Sequence, residues 1–232
     1  MANWFLGRAL AEEAEAENAA WSFLGEGVTF WVTVAVLLLV GVAVYLVARK
    51  KSSKKSFWTA KTMAVGAMCM ALSSVLSLIK LWPMPMGGSV TPASMLPLLL
   101  FAYCYGVGPG MVLGALYGVM QFLLDGMAWA ALGAIPNLLD YPIAFGLLGL
   151  AGCFRGSKAK MTAGFVLGCF GRFMASFLSG FIFYGQYAPE GVNPVWYSLT
   201  YNGSYMLVEC IICIALGLLV GERLAKELKK VA

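Results

Sequence analysis

Long apolar runs limit what this chain can fold into more than any other feature. Segments of helix-spanning length are predicted at 27–48, 61–81, 92–107, 109–127, 136–153, 161–185 and 196–221. A transmembrane helix needs about 20 mainly apolar residues. Only 12% of the residues are charged and 61% are hydrophobic, a composition that excludes an ordinary soluble domain. We therefore predict an all-α integral membrane protein without a separate soluble catalytic domain.

The distribution of charge divides the chain and predicts its orientation. An acidic tail (1–26) precedes an extra transmembrane helix (27–48), and a basic linker (49–60) leads into a six-helix core (61–222) and a basic tail (223–232). Lys and Arg concentrate on the cytoplasmic side of membrane proteins. We therefore expect the amino terminus outside the cell, and the linker and the carboxyl terminus in the cytoplasm.

The absence of certain residues and motifs argues against several kinds of chemistry in this chain. The sequence has no histidine, which removes the commonest metal ligand and the usual proton shuttle. Its six cysteines fall in or beside apolar runs and are interpreted as small packing residues rather than as a disulfide framework. No Walker A motif is present. The pattern favours binding over catalysis, and no cofactor is predicted.

Asp140 lies one turn inside the apolar segment 136–153. An isolated carboxylate in a membrane helix costs at least about 2.5–3.5 kcal/mol on insertion scales, so it usually faces a cavity, a partner charge or a cationic ligand. Arg172, in another predicted helix, is an available counter-ion for either Asp140 or Glu209. The sequence pattern does not choose between these two pairs. Asp140 is the centre of the predicted binding site.

Polar and aromatic side chains accompany Asp140 in the last two core helices. They are Arg172, Ser176, Ser179 and Tyr184 in one helix, and Tyr197, Ser198, Tyr201, Asn202, Tyr205 and Glu209 in the other. Aromatic faces attract cations by about 0.5–2 kcal/mol each, and a carboxylate in a dry setting accepts strong hydrogen bonds. This set suits a small, flat ligand that is cationic or carries an amine.

Two stripes of small residues recur at helical spacing. Gly110, Gly114 and Gly118 are four residues apart and are interpreted as a site of close helix packing. Ala60, Ala64, Ala67 and Ala71 share one face of the first core helix. For the alanine stripe, packing inside the bundle and docking onto another membrane protein both remain open.

Several motifs of the core resemble one known family. They are MPMGGSVTPASMLP (84–97), YGVGPG (105–110), LLDYPIAFGLLGLAG (138–152), SGFIFYGQYAP (179–189) and YSLTYNG (197–203). These segments, in this order, resemble the thiamine-specific S components, which are the substrate-binding subunits of energy-coupling factor (ECF) transporters. The resemblance covers the six-helix core and implies the S-component fold.

The resemblance assigns roles to individual residues. It implies an acidic ligand residue at Asp140 followed by Tyr141, an aromatic residue at Tyr184 that stacks on an aminopyrimidine ring, and further ligand contacts from Gly88, Tyr117, Ser176, Tyr197 and Asn202. Family members place a histidine at the position of Ser176. The loop 82–91 corresponds to the segment that closes over the ligand. Ala67 and Ala71 match the alanine motif by which S components dock on a coupling subunit.

The implied function is high-affinity capture of thiamine at the outer face of a prokaryotic plasma membrane. The implied partners are thiamine, membrane lipid, a transmembrane coupling subunit and two ATPase subunits, with no nucleic acid and no enzyme activity in this chain. One alternative is a member of the same family that binds a thiamine precursor or analogue.

Two alternatives come from other classes of protein. An ion-coupled transporter of organic cations would use Glu209 and Arg172 as a relay. An intramembrane aspartyl protease would use Asp125 and Asp140, but the expected Gly-x-Gly-Asp context is absent. The sequence therefore favours the S-component interpretation over both.

Overall fold

A computed structural model describes residues 59–84, 87–126, 134–189 and 191–231. Its helices are α1 (Ala60–Leu78), α2 (Leu96–Tyr105), α3 (Val107–Gln121), α4 (Ala134–Leu138), α5 (Ala144–Leu147), α6 (Lys158–Phe183), α7 (Pro194–Leu216) and α8 (Glu222–Val231). The predicted acidic tail, the extra helix and nearly all of the basic linker lie outside the described residues.

The described part is a helical membrane protein, as predicted. Five of its helical segments are long and apolar enough to cross a bilayer: Ala60–Leu78, Val107–Asp125, Ile135–Cys153, Lys158–Phe183 and Pro194–Leu228. The exception to the all-helical pattern is a short antiparallel hairpin between α1 and α2. It consists of β1 (Trp82–Pro83) and β2 (Ser89–Val90), with Trp82 opposite Val90.

Helix α2 differs from the predicted span at 92–107. It has ten residues, and all ten are buried, so it is too short to cross a bilayer by itself. A helix that is apolar on every side belongs in the interior of a bundle. Hydropathy detects the apolar run, but it does not distinguish a lipid-facing helix from one surrounded by protein.

The predicted span at 136–153 is an interrupted helix. Between α4 and α5 the backbone forms a π-helical turn, Leu139–Ile143, and after α5 it tightens into a 3-10 helix, Leu148–Cys153. Pro142 lies inside the π turn and cannot donate a backbone hydrogen bond to the preceding turn. Such π turns occur frequently at functional sites, and this one carries Asp140.

The glycine stripe of α3 packs closely against the interrupted helix, as predicted. A Cβ added to Gly114 would collide with the carbonyl oxygen of Phe145, and one added to Gly118 would collide with that of Tyr141. Both glycines therefore allow a backbone approach that any larger residue would prevent. This contact places Tyr141 and Asp140 beside α3.

The basic residues at the start of α6 and in α8 lie together at one end of the described bundle. Lys158 at the start of α6 has its Nζ atom 4.0 Å from Glu222 Oε2 at the start of α8. The predicted basic tail is helical, and the Tyr105 hydroxyl donates to the Leu228 carbonyl oxygen at 2.7 Å. The carboxyl end of α6, the amino end of α7 and the hairpin lie at the opposite end of the bundle.

The alanine stripe of α1 is exposed. Ala60, Ala64, Ala67 and Ala71 are all exposed, whereas Val65 and Cys69 on another face are buried. The stripe therefore does not pack against the described helices, and docking onto another membrane protein stays a prediction.

Candidate functional site

A cavity of about 140 Å³ opens between the hairpin, α3, the π turn at Asp140, α6 and α7. One water molecule requires about 10–15 Å³ on this measure, so the cavity has room for a ligand of several heavy atoms. The structure brings to its wall all eight predicted ligand-binding residues: Gly88, Tyr117, Asp140, Tyr141, Ser176, Tyr184, Tyr197 and Asn202.

Asp140 is half-buried and faces a set of hydroxyl groups. The Ser179 hydroxyl donates to Asp140 Oδ2 at 2.7 Å, and the hydroxyls of Ser176 and Tyr184 are also hydrogen-bond neighbours of this carboxylate. Among the described residues, no lysine or arginine forms an ion pair with Asp140. Its negative charge is therefore solvated mainly by neutral hydroxyl donors on the cavity wall.

A close contact between α6 and α7 builds the wall opposite α3. A Cβ at Gly180 would collide with the Ser198 hydroxyl and would lie 3.0 Å from Asn202 Nδ2. The Asn202 amide donates to the Ser198 and Ser176 carbonyl oxygens at 3.1 and 3.3 Å, and its oxygen accepts from the Tyr205 hydroxyl at 3.1 Å. Asn202 therefore ties the two helices together, and its oxygen keeps one lone pair for a further donor.

Tyrosine rings at four-residue spacing line the α7 side of the cavity. The rings of Tyr197 and Tyr201 stack with centroids 6.0 Å apart, and Tyr205 meets Tyr201 edge to face at 5.8 Å. Across the cavity, Tyr117 is buried and meets Phe145 edge to face at 4.9 Å. These rings give the cavity several aromatic faces beside the Asp140 carboxylate.

The hairpin is attached to α7 at the rim of the cavity. The Gly88 backbone N–H donates to the Tyr201 hydroxyl at 3.1 Å, and Val90 packs against Tyr205 and Met206. A Cβ at Gly88 would lie 2.8 Å from the Tyr201 hydroxyl, so a larger residue here would require the tyrosine side chains to shift.

Glu209 is the partner of Arg172, which resolves the alternative that the sequence leaves open. Glu209 Oε2 lies 4.0 Å from Arg172 Nη1. Its other oxygen accepts hydrogen bonds from the hydroxyls of Thr91 and Ser94, the second at 2.8 Å. The Arg172 guanidinium lies over the Phe145 ring at 4.1 Å. Glu209 thus joins the base of the hairpin to α6 and α7.

Sequence reasoning missed a second polar set on the cavity wall. Gln121 is buried, with its Oε1 accepting from the Ser77 hydroxyl at 3.3 Å and its Nε2 donating to Asp125 Oδ2 at 3.2 Å. Asp125 also pairs with Lys80 at 3.1 Å. A lone amide in the apolar run 109–127 was the available signal, as were Thr91 and Ser94 at the start of the run at 92–107.

Most of this chain is similar to proteins of one family. A family model described as "Thiamine transporter protein (Thia_YuaJ)" matches residues 63–228. The thiamine transporter ThiT of Bacillus subtilis is 38% identical in an alignment that covers 56% of this chain and 73% of the relative. ThiT of Lacticaseibacillus paracasei is 33% identical, with 52% and 67% covered.

Two solved structures share the fold. ThiT from Listeria monocytogenes superposes with a TM-score of 0.64 at 21% identity, covering 72% of this chain and 96% of that one. The S component of a bacterial ECF transporter superposes with a TM-score of 0.51 at 20% identity, covering 73% and 98%. The core thus has the S-component fold. Because the family model matches most of the chain, and because curated relatives match it over two thirds or more of their own length, this chain belongs to the thiamine transporter (Thia_YuaJ) family.

Proposed function

We propose that this protein is the thiamine-binding S component of an ECF-type importer. The observation that carries the proposal is that eight residues scattered between positions 88 and 202 line one cavity around an unpaired carboxylate. A chain in which these residues served only helix packing would not need to gather them at one cavity. The two relatives found by sequence similarity are thiamine transporters by name.

The wall chemistry supports a cationic, aromatic ligand. Thiamine carries a positive thiazolium ring and an aminopyrimidine ring with an exocyclic amine. Asp140 offsets the thiazolium charge or accepts from the amine, since either interaction would compensate a carboxylate that has no ion pair among the described residues. Tyr184 stacks on the aminopyrimidine ring, while Tyr197 and Asn202 supply hydrogen bonds. A wrong ligand would leave these polar groups unpaired, which is a strong source of specificity.

The weak attachment and the short strands of the hairpin support the proposal that it covers the site. Gly88 is held to α7 by one hydrogen bond from its N–H to the Tyr201 hydroxyl, and two-residue strands are marginally stable by themselves. In our proposal the hairpin opens to the outside of the cell and the basic end of the bundle lies in the cytoplasm, in agreement with the positive-inside rule.

Transport would require other chains. The exposed Ala67 and Ala71 form a flat surface suited to close helix–helix contact in lipid, and we assign it to a transmembrane coupling subunit that works with two ATPase subunits. ATP hydrolysis would take place on those partners. The protein itself would be a binding subunit without catalytic residues.

The direct test is calorimetric titration of the purified full-length protein in detergent with thiamine. We expect saturable binding at a ratio of one to one. Titrations with the separate aminopyrimidine and thiazolium fragments should give much weaker binding, because each fragment contacts only part of the wall. If one fragment bound tightly and thiamine did not bind, the ligand would be a thiamine precursor, and the proposal that the protein binds thiamine would be rejected.

The docking surface needs its own test in cells that supply the coupling and ATPase subunits. Ala67→Leu should abolish thiamine uptake while leaving binding in detergent unchanged, because the larger side chain holds the helices apart. Ala215→Leu places the same change on an exposed position of α7 and should leave uptake intact. Equal uptake by both variants would exclude the α1 stripe as the docking surface.

A precursor or analogue as the ligand is the second candidate, and Ser176 favours it. Ser176 is a hydrogen-bond neighbour of Asp140, at the position where the family resemblance implies a larger imidazole. A smaller side chain leaves more room and removes one ring donor. Competition between thiamine and its precursors in the same titration separates the two ligands.

A further inference from the structure

We propose that the Arg172–Glu209 pair makes the cavity select a ligand that ends in an uncharged hydroxyl over one that ends in a phosphate. This inference rests on the proposed function, since it concerns the hydroxyethyl end of a thiamine-like ligand. It assigns a specificity role to two residues that the family resemblance did not include among the ligand contacts.

The first observation is that the protein leaves hydrogen-bond donors of Arg172 unused. Arg172 lines the cavity, and 13% of its side chain remains accessible. Neither Nε nor Nη1 has a hydrogen-bond partner among the described residues. Buried guanidinium donors without acceptors are costly. Both atoms are themselves buried, so a ligand oxygen would approach the guanidinium from the accessible side of Arg172 and offset part of that cost.

The second observation is that this guanidinium is already neutralised. Glu209 is 1% exposed, lies 4.0 Å from Arg172 Nη1, and is fixed by the hydroxyls of Thr91 and Ser94. The carboxylate therefore cannot swing away when a ligand enters. The pair offers N–H donors without a net positive charge, which suits an alcohol oxygen better than a phosphate dianion.

The remaining charged residues of the cavity also disfavour a ligand that ends in a phosphate. Among the described residues that line it, Arg172 is the single lysine or arginine. Asp125 is paired with Lys80, and Asp140 has no ion pair among the described residues. The thiazolium of the ligand offsets Asp140, so the cavity has no free positive charge left to compensate a phosphate in this site of low dielectric.

The test compares thiamine with thiamine monophosphate on the full-length protein in detergent. Glu209→Gln keeps an oxygen that accepts from Thr91 and Ser94 but removes the charge that neutralises Arg172. We expect the wild type to prefer thiamine. In the variant, the ratio of the two dissociation constants should shift at least about tenfold toward the monophosphate.

A second variant covers the case in which Glu209→Gln fails to fold because it leaves Arg172 unpaired. The double variant Glu209→Gln with Arg172→Met contains neither charge, so it leaves no buried ion without a partner. It should bind thiamine and an analogue without the hydroxyl group equally well, whereas the wild type should prefer thiamine by about tenfold or more.

The outcomes are distinguishable. A wild type that does not bind thiamine would refute the proposed function before the selectivity question arises. A wild type that binds thiamine, together with a folded Glu209→Gln variant whose preference is unchanged, would overturn this inference alone. Continued discrimination against the hydroxyl-free analogue by the double variant would also overturn it.

Discussion

Of the three carboxylates among the described residues that line the cavity, Asp140 and Glu209 have opposite surroundings. Asp140 is half-buried and receives hydrogen bonds from neutral hydroxyls. Glu209 is completely buried, and it receives two hydroxyl hydrogen bonds and lies near the Arg172 guanidinium. We call the surroundings of the first the Asp140 wall (Asp140, Ser176, Ser179 and Tyr184). Those of the second are the Glu209 wall (Thr91, Ser94, Arg172 and Glu209).

The difference shows how a membrane protein can use one buried carboxylate to stabilise its fold and another to bind a ligand. A buried charge is tolerable when a partner charge and hydrogen bonds compensate it, and the Glu209 wall meets that condition within the protein. The Asp140 wall has no ion pair among the described residues. A cationic ligand would therefore compensate its charge. One wall should therefore govern stability and the other affinity.

Glu209→Ala should have the largest effect and should act on stability. The change leaves Arg172 without its partner and removes the acceptor of two hydroxyl groups. Breaking a buried pair from one side costs about 3–5 kcal/mol. We expect a strongly lowered midpoint of thermal unfolding in detergent without ligand.

The matched control is Asp140→Ala in the same measurement. It removes a carboxylate that has no ion pair among the described residues, so the unfolding midpoint of the ligand-free protein should stay equal or rise. If the two variants lost stability equally, the proposed division between the walls would be wrong.

Asp140→Asn should have the next largest effect and should act on affinity. The amide keeps the shape and an oxygen that accepts from Ser179, but it loses the charge. Removing one member of a buried charged contact costs about 2–4 kcal/mol, or about 30- to 1000-fold in Kd for thiamine. Calorimetry measures this loss directly.

Asp125→Asn makes the same chemical change elsewhere on the cavity wall. Asp125 pairs with Lys80 at side-chain exposures of 37% and 38%, and exposed ion pairs contribute about 0–1 kcal/mol. Its effect on thiamine affinity should therefore be below about fivefold. A loss as large as that of Asp140→Asn would show that the total charge of the cavity matters more than the Asp140 wall.

Tyr184→Ala tests the aromatic part of the Asp140 wall. Loss of a stacking face and of a hydroxyl beside Asp140 should cost about 1–2 kcal/mol of thiamine binding, or about 5- to 30-fold in Kd. The neighbouring Tyr187 is exposed and lies outside the lining of the cavity. Tyr187→Ala should leave the Kd unchanged, and an equal loss in both variants would point to a change of the local backbone instead of stacking.

The sequence predicts the helices and the site residues because both leave strong local signals. Spans such as 161–185 are visible as apolar runs, and Asp140 is visible because a charge is rare in such a run. The grouping of Gly88, Tyr117 and Asn202 came from the family resemblance, and their shared cavity agrees with it.

The structural features that the sequence does not predict depend on contacts between segments distant in sequence. The choice of Glu209 as the partner of Arg172 follows from the approach of α6 to α7 at Gly180, which no local pattern reveals. The π turn at Leu139–Ile143 depends on packing against α3. The shortness of α2 depends on its position inside the bundle.

Tyr201→Phe should have the smallest effect and should link the two walls. Tyr201 holds the tip of the hairpin through Gly88, while Glu209 holds its base through Thr91 and Ser94. The ring of phenylalanine keeps the contact with Tyr205 but cannot accept from the Gly88 N–H. Loss of one hydrogen bond is worth about 0.5–1.5 kcal/mol. Because the base of the hairpin stays fixed, thiamine should dissociate about 2- to 10-fold faster in stopped-flow fluorescence, with little change in the unfolding midpoint.

Tyr197→Phe removes a hydroxyl from the same helix without touching the hairpin, so it should alter affinity without a comparable increase in the dissociation rate. Equal dissociation rates in wild type and Tyr201→Phe would mean that the Glu209 wall alone keeps the hairpin closed.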